Sequence, residues 1–283
     1  MQSWLKIILF ALLLSAFSLA SHANNIKVMT FNLRVPIDPY PNDWNSRLPR
    51  VISIIKAQQP DFWGVQETTP EMLSDLRREL PEYLVIGRGR NADEGGEGTQ
   101  ILYKKNRWNI DRYDQGTLQL SPTPEIPGSN GWNMQWPRIF TWAHLKEKRT
   151  KKSIYIYNTH FPLLPQERDL SATQISSAIA ARKHKRSPVI LTGDFNACEN
   201  EHSMKYLLGE DGSPITMKDT FRLIHPNSNA GTFHAFGKTE SCKIDYIYAL
   251  GKIRILDAKI LNESEIFSSD HFAVTTTLQF LLP

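Results

Sequence analysis

The stretch Pro188-Val189-Ile190-Leu191-Thr192-Gly193-Asp194-Phe195-Asn196 decides the predicted fold. Its centre is a short apolar run rich in β-branched residues, which is typical of a strand buried on both faces of a covered sheet. An acid and an amide follow two residues apart, so their side chains point to the same side. Taken alone, the stretch does not separate a functional strand end from an Asx turn that only ends the strand.

Other apolar runs in the chain also carry a polar side chain at one end. The residues at these ends are Asn32, Glu67, His160, Asp245 and the pair Asp270-His271. Acids, amides and imidazoles repeated at strand ends would line one edge of a sheet with oxygen donors and proton carriers. The repetition favours a functional site over independent turns.

The order of these motifs resembles that of the endonuclease/exonuclease/phosphatase superfamily, which includes deoxyribonuclease I. The resemblance extends from about Ile26 to the C-terminus, and two further segments, Gly98–Tyr103 and Pro137–Trp142, are similar to a secreted bacterial branch. The motifs are Phe31-Asn32-Leu33-Arg34, Val65-Gln66-Glu67, Asn158-Thr159-His160, Gly193-Asp194-Phe195-Asn196, Ile244-Asp245-Tyr246 and Ser269-Asp270-His271.

The resemblance implies an α/β fold over a single domain, residues 24–283. The expected architecture is a four-layer α/β/β/α sandwich with two packed mixed β-sheets. Local signals agree with alternating helices and strands. Asp43 or Asn45 is a candidate N-cap for a helix through Gln58, and Thr69-Pro70 predicts another helix start.

A further amphipathic helix is predicted over Gln166–Lys183. Its apolar side is expected to contain Leu170, Ile175 and Ile179.

The N-terminal residues 1–23 resemble a signal peptide. Lys6 precedes the apolar run Ile7–Ala20, and Ser21-His22-Ala23 matches a signal peptidase site. The run is shorter than the roughly 20 apolar residues of a spanning helix, although a retained anchor is the alternative. We therefore expect a periplasmic or secreted protein without a transmembrane segment in the mature chain.

The resemblance implies a divalent metal site. A phosphodiester's negative oxygens repel an attacking hydroxide, and Mg²⁺ neutralises that charge while preferring carboxylate and other oxygen ligands. Glu67 is the implied first ligand, with Asn32 beside it and Asp270 supporting the same ion. Mn²⁺ fits this oxygen-rich set as well. A salt bridge near a helix start is the alternative for Glu67.

The remaining motifs imply a proton carrier and its neighbours. His271 is the implied acceptor of a proton from the attacking water, and Asp245 fixes its tautomer. Asp194 positions the water or leaving group, or binds a second metal. Asn196 donates a hydrogen bond to a phosphate oxygen. A core histidine bonded to a carboxylate is the alternative for His271.

Two residues complete the implied phosphate site. His160 matches a position that is His in deoxyribonuclease I and the phosphatases but Tyr in apurinic endonucleases, which argues against DNA repair. Arg138 resembles a phosphate-binding Arg, and a guanidinium can hold a phosphate through two hydrogen bonds. A solvent-exposed surface charge is the alternative for Arg138.

The two cysteines are Cys198 and Cys242. Cys198 follows the Asp194 strand end and Cys242 shortly precedes Asp245, so the thiols are neighbours if the two acids converge. The sequence leaves open whether they form a disulfide, which an oxidising compartment would favour.

Together these features predict an exported, Mg²⁺-dependent hydrolase of phosphoester bonds. A phosphodiester in nucleic acid is the favoured substrate, and the net charge of +4 is compatible with a polyanion. A phospholipid, as in sphingomyelinases, or an inositol phosphate is the alternative, and a non-catalytic binding protein is a third hypothesis. DNA or RNA, endo- or exo-cleavage and one or two metals stay open. We expect a monomer.

The loop from Leu118 to Trp136 carries Trp132, Met134 and Trp136. These side chains either anchor the loop to the core, enter a membrane interface, or stack on bases or sugars of a substrate.

Overall fold

The computed structural model describes residues 25–262 and 266–281. The predicted signal peptide, residues 1–23, lies outside the described residues. The strands of the described chain are β1 (Ile26–Asn32), β2 (Phe62–Gln66), β3 (Tyr83–Ile86), β4 (Ile101–Lys104), β5 (Trp108–Gln119), β6 (Ile139–Glu147), β7 (Ser153–His160), β8 (Val189–Asp194), β9 (Lys218–Asp219), β10 (Asp245–Leu250), β11 (Ile253–Leu261) and β12 (Ala273–Phe280). The helices are α1 (Trp44–Gln58), α2 (Pro70–Glu79), α3 (Pro165–Ala181), α4 (His202–Leu207) and α5 (Thr220–Ile224).

The strands form two six-stranded sheets. The strand order is β11-β12-β1-β2-β4-β3 in the first sheet and β5-β6-β7-β8-β10-β9 in the second. One inner pair of each sheet is parallel, β1 with β2 and β7 with β8. The other neighbours are antiparallel. Both sheets are therefore mixed, as predicted.

The stretch around Asp194 forms β8, an inner strand of the second sheet in which every residue is buried. Its β-branched residues suit a pleated surface. Ile190 belongs to the apolar cluster between the two sheets, whereas Val189 and Leu191 belong to the cluster under the helices. The strand is buried on both faces, as its composition predicts.

Apolar side chains fill three contact layers. Residues such as Val28 and Ile156 pack between the sheets. Ile55 of α1 and Leu76 of α2 cover the outer face of the first sheet. Ile175 of α3 is among the residues that cover the outer face of the second sheet. The predicted four-layer α/β/β/α sandwich in a single domain is confirmed.

Two predicted helix starts are confirmed by their caps. The Asp43 carboxylate accepts a hydrogen bond from the Ser46 N–H at 3.1 Å, and α1 begins at the next residue, Trp44. The Thr69 hydroxyl accepts from the Met72 N–H at 3.3 Å. In each case the side chain satisfies a donor that the first helical turn leaves unpaired.

The predicted apolar side of the third helix is partly wrong. Ile175 and Ile179 of α3 are buried, but Leu170 is 42% exposed. At 3.6 residues per turn, Leu170 lies roughly 140° around the helix from Ile175, so the two cannot share one face.

In the described residues, no helix combines the length and apolar character needed to cross a membrane.

A buried polar network joins the two sheets. Asn158 of β7 donates from Nδ2 to the carbonyl of Val65, in β2, at 2.8 Å and to that of Gln100, just before β4, at 3.0 Å. Its Oδ1 accepts from Gln66 Nε2 at 2.7 Å and from Thr192 Oγ1 at 3.0 Å. Because both the oxygen and the nitrogen of the amide are hydrogen-bonded, this side chain favours one relative position of the two sheets.

Cys198 and Cys242 form a disulfide with their Cα atoms 5.7 Å apart. Asp194, at the end of β8, is the antiparallel partner of Asp245, at the start of β10. The segments flanking these two residues are therefore close, and the disulfide ties them together beside the strand ends.

We expect the double variant Cys198→Ala/Cys242→Ala to be less stable than the wild type by about 4 kcal/mol in the chain-entropy model. The bond closes a loop across 44 residues, which restricts the unfolded chain. Urea unfolding without reductant measures the difference. A reductant should destabilise the wild type and leave the double variant unchanged; equal midpoints for the two proteins would contradict the prediction.

We expect Asn158→Ala to lower the free energy of unfolding by about 3 kcal/mol, because each buried group left unpaired costs about 1–3 kcal/mol. The exposed Asn109 of β5 gives a matched control, and Asn109→Ala should change stability by less than about 0.5 kcal/mol. Denaturant unfolding of both variants provides the comparison. A similar effect at the two positions would show that the network does not hold the sheets together.

Candidate active site

The ends of parallel strands from both sheets meet at one edge of the sandwich. In the first sheet, Asn32 at the end of β1 pairs with Gln66 at the end of β2, and Glu67 follows Gln66 in the chain. In the second sheet, His160 at the end of β7 is the partner of Asp194 at the end of β8. Parallel pairing places the carboxyl ends of each strand pair on the same side.

Antiparallel neighbours add residues from their own beginnings. Asp245 starts β10 and lies opposite Asp194. Asp270 and His271 come just before β12, which pairs with β1. The predicted strand-end residues therefore lie at the same edge, although they come from distant parts of the chain.

Asn32 links the acids of the two sheets. Its Nδ2 donates to Glu67 Oε1 at 3.0 Å and to Asp194 Oδ2 at 2.9 Å. Its Oδ1 accepts from the Arg34 N–H at 2.9 Å. The side chain is fully buried, so these bonds hold the two carboxylates in fixed positions.

Two site residues have left-handed backbone conformations. Glu67 has φ +61° and Asn196 has φ +50°. The Glu67 carboxylate accepts from the Val35 N–H at 2.8 Å, and the Asn196 N–H donates to Asp194 Oδ1 at 2.9 Å. Such conformations are uncommon outside glycine and often occur at functional sites.

His271 lies between two carboxylates. Its Nδ1 is 2.9 Å from Asp245 Oδ2, and its Nε2 is 3.7 Å from Asp194 Oδ2. Burial lowers the pKa of His271, but the Asp245 and Asp194 carboxylates more than offset this effect and raise it to about 10. The protein environment therefore stabilises the imidazolium form.

The pKa values of two carboxyl groups in the site are also raised, which favours their neutral forms. Burial, followed by repulsion from Asp245, raises the pKa of Asp194 to about 7, although His271 acts against this shift. Burial also raises the pKa of Asp270, with Glu67 adding to the effect. Buried carboxylates crowded in this way favour a nearby positive charge.

Arg138, with His160 beside it, forms the cationic side of the site. His160 Nε2 is 3.4 Å from Asp194 Oδ2. Burial and the charge of Arg138 lower the pKa of His160 well below its usual value, so its imidazole is neutral. Arg138 is only 6% exposed, and within the described chain no carboxylate lies within 4.0 Å of its guanidinium.

The structure groups the predicted metal ligands differently from the sequence. Atoms of Glu67, His160 and Asp194 that can bind metal all lie within 4.8 Å of one another. Asn32 turns its amide nitrogen toward the acids. Asp270 is not one of these three residues; its Oδ2 lies 3.7 Å from the Arg34 guanidinium, and it lines the same cavity as Glu67 and Asp194.

The site opens into a cavity of about 620 Å³, a volume typical of small-molecule pockets. Asn32 and Asp245 are fully buried and do not line it. The predicted residues that line the cavity are Glu67, Arg138, His160, Asp194, Asn196, Asp270 and His271.

The cavity wall also contains residues that the sequence analysis did not assign to the site. Arg34 belongs to the motif Phe31-Asn32-Leu33-Arg34, so the sequence could have identified it as a residue of the site. Phe233, Phe236 and Lys238 lie in a segment without helix or strand, where no periodic pattern could identify them.

The aromatic loop contributes to both the core and the cavity. Met134 is buried and Trp132 packs against the core under α3. Trp136 is 44% exposed and lines the cavity. Met134 and Trp132 thus anchor the loop as predicted, whereas Trp136 faces the cavity.

Comparisons with known proteins agree with this architecture. A structure described as an endonuclease/exonuclease/phosphatase from Bacteroides vulgatus is 30% identical, with a TM-score of 0.82, covering 91% of this chain and 99% of that chain. A mannosyl-6-phosphatase of Bacteroides thetaiotaomicron is 27% identical, with a TM-score of 0.81, covering 90% of this chain and 100% of that chain.

A protein of Acanthamoeba polyphaga mimivirus is 27% identical over 161 residues, which are 54% of this chain and 59% of the viral protein. The chain therefore spans about three fifths of the length of this relative. The model of the Endonuclease/Exonuclease/phosphatase family matches residues 29–271. The chain belongs to the endonuclease/exonuclease/phosphatase family, whose members are metal-dependent hydrolases of phosphoester bonds.

Proposed function

We propose that this protein is a Mg²⁺-dependent phosphoesterase that hydrolyses phosphate esters of small polar molecules such as sugars. The observation that carries the proposal is the convergence of Glu67, Asp194 and His271 at one cavity with the guanidinium of Arg138, which is buried and has no carboxylate within 4.0 Å in the described chain. The acids suit a cation and the guanidinium suits a phosphate.

The donor set fits a divalent ion. Among the described residues Asp245 Oδ1 is buried without a hydrogen-bond partner, and burial together with repulsion from Asp245 raises the pKa of Asp194, so a cation at this site would stabilise both carboxylates. Glu67 and Asp194 would hold the ion, with Asp270 nearby. When bound, Mg²⁺ neutralises charge on the phosphate oxygens and on the leaving oxygen.

His271 is the proposed proton acceptor in the cation-loaded site, where the bound cation would offset the Asp194 charge that otherwise favours the imidazolium. Asp245 holds Nδ1, which directs Nε2 toward Asp194 and the cavity. A water between Nε2 and the phosphate would lose its proton to the imidazole as it attacks. The two carboxylates then stabilise the resulting imidazolium.

The phosphate itself would lie against the cationic side of the cavity. Arg138 donates paired hydrogen bonds to its oxygens. Neutral His160 donates one more without adding a fixed charge. The Asn196 amide, which already donates to the Phe161 carbonyl at 2.9 Å, has a second hydrogen for the same phosphate.

The proposed substrate class differs from the nucleic acid favoured by the sequence analysis. A concave cavity of about 620 Å³ suits a small molecule, and the mannosyl-6-phosphatase relative acts on a sugar phosphate. Cleavage of single-stranded nucleic acid is the second candidate. It is favoured by the exposed Trp136 and by Arg34, Arg90 and Lys238 on the cavity wall.

We also propose that the protein is exported. The disulfide between Cys198 and Cys242 supports this location, because such bonds persist in oxidising compartments.

We expect His271→Ala to lower kcat by about 10²–10⁴-fold, the usual contribution of a general base. Glu67→Gln should instead raise the Mg²⁺ concentration needed for half-maximal activity. Hydrolysis of p-nitrophenyl phosphate and bis-p-nitrophenyl phosphate across a Mg²⁺ series measures both effects. His225→Ala serves as the control, since this imidazole bonds the Ala258 carbonyl outside the cavity. Equal rates in all four proteins would refute the assigned site.

We expect kcat/KM for a hexose 6-phosphate to exceed that for a single-stranded oligonucleotide by about tenfold or more, a difference of about 1.4 kcal/mol in transition-state binding. Trp136→Ala should raise KM for the preferred substrate, because Trp136 lines the cavity. Ile126→Ala is the control, as this exposed residue of the same loop does not line it. A preference for the oligonucleotide would select the second candidate.

A further inference from the structure

The end of the sandwich opposite the catalytic cavity is formed by connections rich in lysine and arginine. Strands β1, β2, β7 and β8 have the site residues at or next to their carboxyl ends, so their first residues lie at this opposite end. Strands β4, β6 and β10 run the other way and finish there. Four connections therefore lie together at this end: residues 105–107, 148–152, 182–188 and 251–252.

These four connections contain eleven Lys and Arg residues and no Asp or Glu. The whole chain has a net charge of only +4, so the residues outside the connections are together net negative. Positive charge is therefore concentrated at one end of the molecule. We call the following cations the basic end: Lys105, Arg107, Lys148, Arg149, Lys151, Lys152, Arg182, Lys183, Lys185, Arg186 and Lys252.

Acidic side chains do not neutralise the lysines of the basic end. In the described chain, the lysines with a carboxylate within 4.0 Å of Nζ are Lys243 and Lys259, which lie elsewhere. Arg107 differs from the lysines, because its guanidinium is 2.9 Å from Asp61 and 2.8 Å from Glu147. The lysine charges are thus available to an external anion.

Hydrogen bonds hold two of the basic connections against each other. The Lys148 N–H donates to the Arg107 carbonyl at 2.9 Å, and the Lys148 ammonium donates to the Lys105 carbonyl at 2.6 Å. The Glu147 N–H donates to the Lys152 carbonyl at 2.8 Å. Because this backbone is already ordered, binding of an anion would lose little conformational entropy there.

A second cavity, of about 710 Å³, opens among these connections. Its wall includes Lys27 and Lys104, whereas its carboxylates, Asp61 and Glu147, are paired with Arg107. Burial lowers the pKa of Lys104, and repulsion from Arg107 adds to this effect, although Asp61 acts against it. A phosphate group in this cavity would stabilise the crowded ammonium groups.

The charge array suits an anionic surface better than a nucleic acid. Proteins that bind single-stranded nucleic acid place aromatic side chains against the bases. In the described chain, the large aromatic side chains that are exposed are Tyr40, Tyr113 and Trp136, and none belongs to the basic end. Ammonium groups spread over connections of both sheets match headgroup phosphates spread over a bilayer.

The chain also enters the sandwich at the basic end. Asn25, the first described residue, lines the second cavity. The apolar run Ile7–Ala20, which resembles the membrane-directed part of a signal peptide, precedes it in the sequence. The basic end is therefore where the fold begins after a segment that directs a chain to a membrane.

We propose that the basic end docks on the surface of a bilayer that contains anionic phospholipids. Its lysines contact headgroup phosphates, and one phosphate enters the second cavity beside Lys27 and Lys104. Each Lys or Arg held at such a surface strengthens binding about fivefold. The catalytic cavity stays open to solvent, because Asn32 lies roughly 20 Å from Ile26 along β1.

The test measures co-sedimentation of residues 24–283 with vesicles of phosphatidylcholine alone or of an equal mixture of phosphatidylcholine and phosphatidylglycerol. This chain contains every described strand and helix and lacks the apolar run, which could bind lipid by itself. The control Lys205→Glu/Lys259→Glu changes exposed lysines outside the basic end. Two double variants make the same change in net charge within it: Lys105→Glu/Lys148→Glu and Lys183→Glu/Arg186→Glu.

We expect the wild type to bind the mixed vesicles, and not those of phosphatidylcholine, at about 0.1 M salt, where the Debye length is about 10 Å. Binding should be lost at about 1 M salt, where that length falls to about 3 Å. Each double variant of the basic end should lower the partition coefficient about tenfold or more, because two attractive charges become repulsive. The control should stay within about twofold of the wild type, since its substitutions lie outside the screened range of the surface.

Equal binding to the two kinds of vesicle, or the same loss of binding in the control, would overturn the proposal. Fluorescence anisotropy with single-stranded and duplex oligonucleotides provides the comparison with nucleic acid. Binding to an oligonucleotide that is tighter than to the mixed vesicles, and is lost in the same two double variants, would assign the basic end to nucleic acid instead. Because sedimentation requires no catalysis, these outcomes are independent of the proposed hydrolase activity.

Discussion

Parallel pairing at the centre of each sheet is the constraint on which the candidate site depends. It sends the carboxyl ends of β1, β2, β7 and β8 to one edge, where Asn32 of the first sheet donates to Asp194 of the second at 2.9 Å. A slip of one residue would turn either side chain to the opposite face of its sheet. Asn158 opposes such a slip, because its amide satisfies groups of both sheets in this registration.

The convergence of these strand ends also lowers the stability of the folded protein. It buries Asp194 beside Asp245, which raises the pKa of Asp194 to about 7, and it holds Glu67 and Asn196 at positive φ. Conformations of this kind cost about 1–3 kcal/mol each. The apolar layers and the disulfide offset these costs. Stability from the scaffold therefore permits a site in which Asp194 is buried beside a second carboxylate.

The sequence predicts the strand ends well because an apolar run that stops at Asp194 or Asn32 is a local signal. The prediction for Leu170 is wrong, because this apolar residue lies on a different face of its helix from the buried Ile175. The sequence also misses Phe236 and Lys238, since irregular segments reach the cavity only through tertiary packing. The approach of Asp111 to His144 has no sequence signature, because it depends on an irregularity in the pairing of β5 with β6.

The second sheet supplies His160, Asp194 and Asp245, so its rigidity has direct consequences for the site. The disulfide connects the segments next to β8 and β10 at the catalytic end. At the other end of β7, the Tyr155 hydroxyl donates to Asp114 of β5 and accepts from the backbone N–H of His184, in the segment after α3. The two ties restrain opposite ends of the sheet that carries His160 and Asp194. Catalytic geometry is sensitive to shifts of about 1 Å, so order far from the cavity contributes to the chemistry inside it.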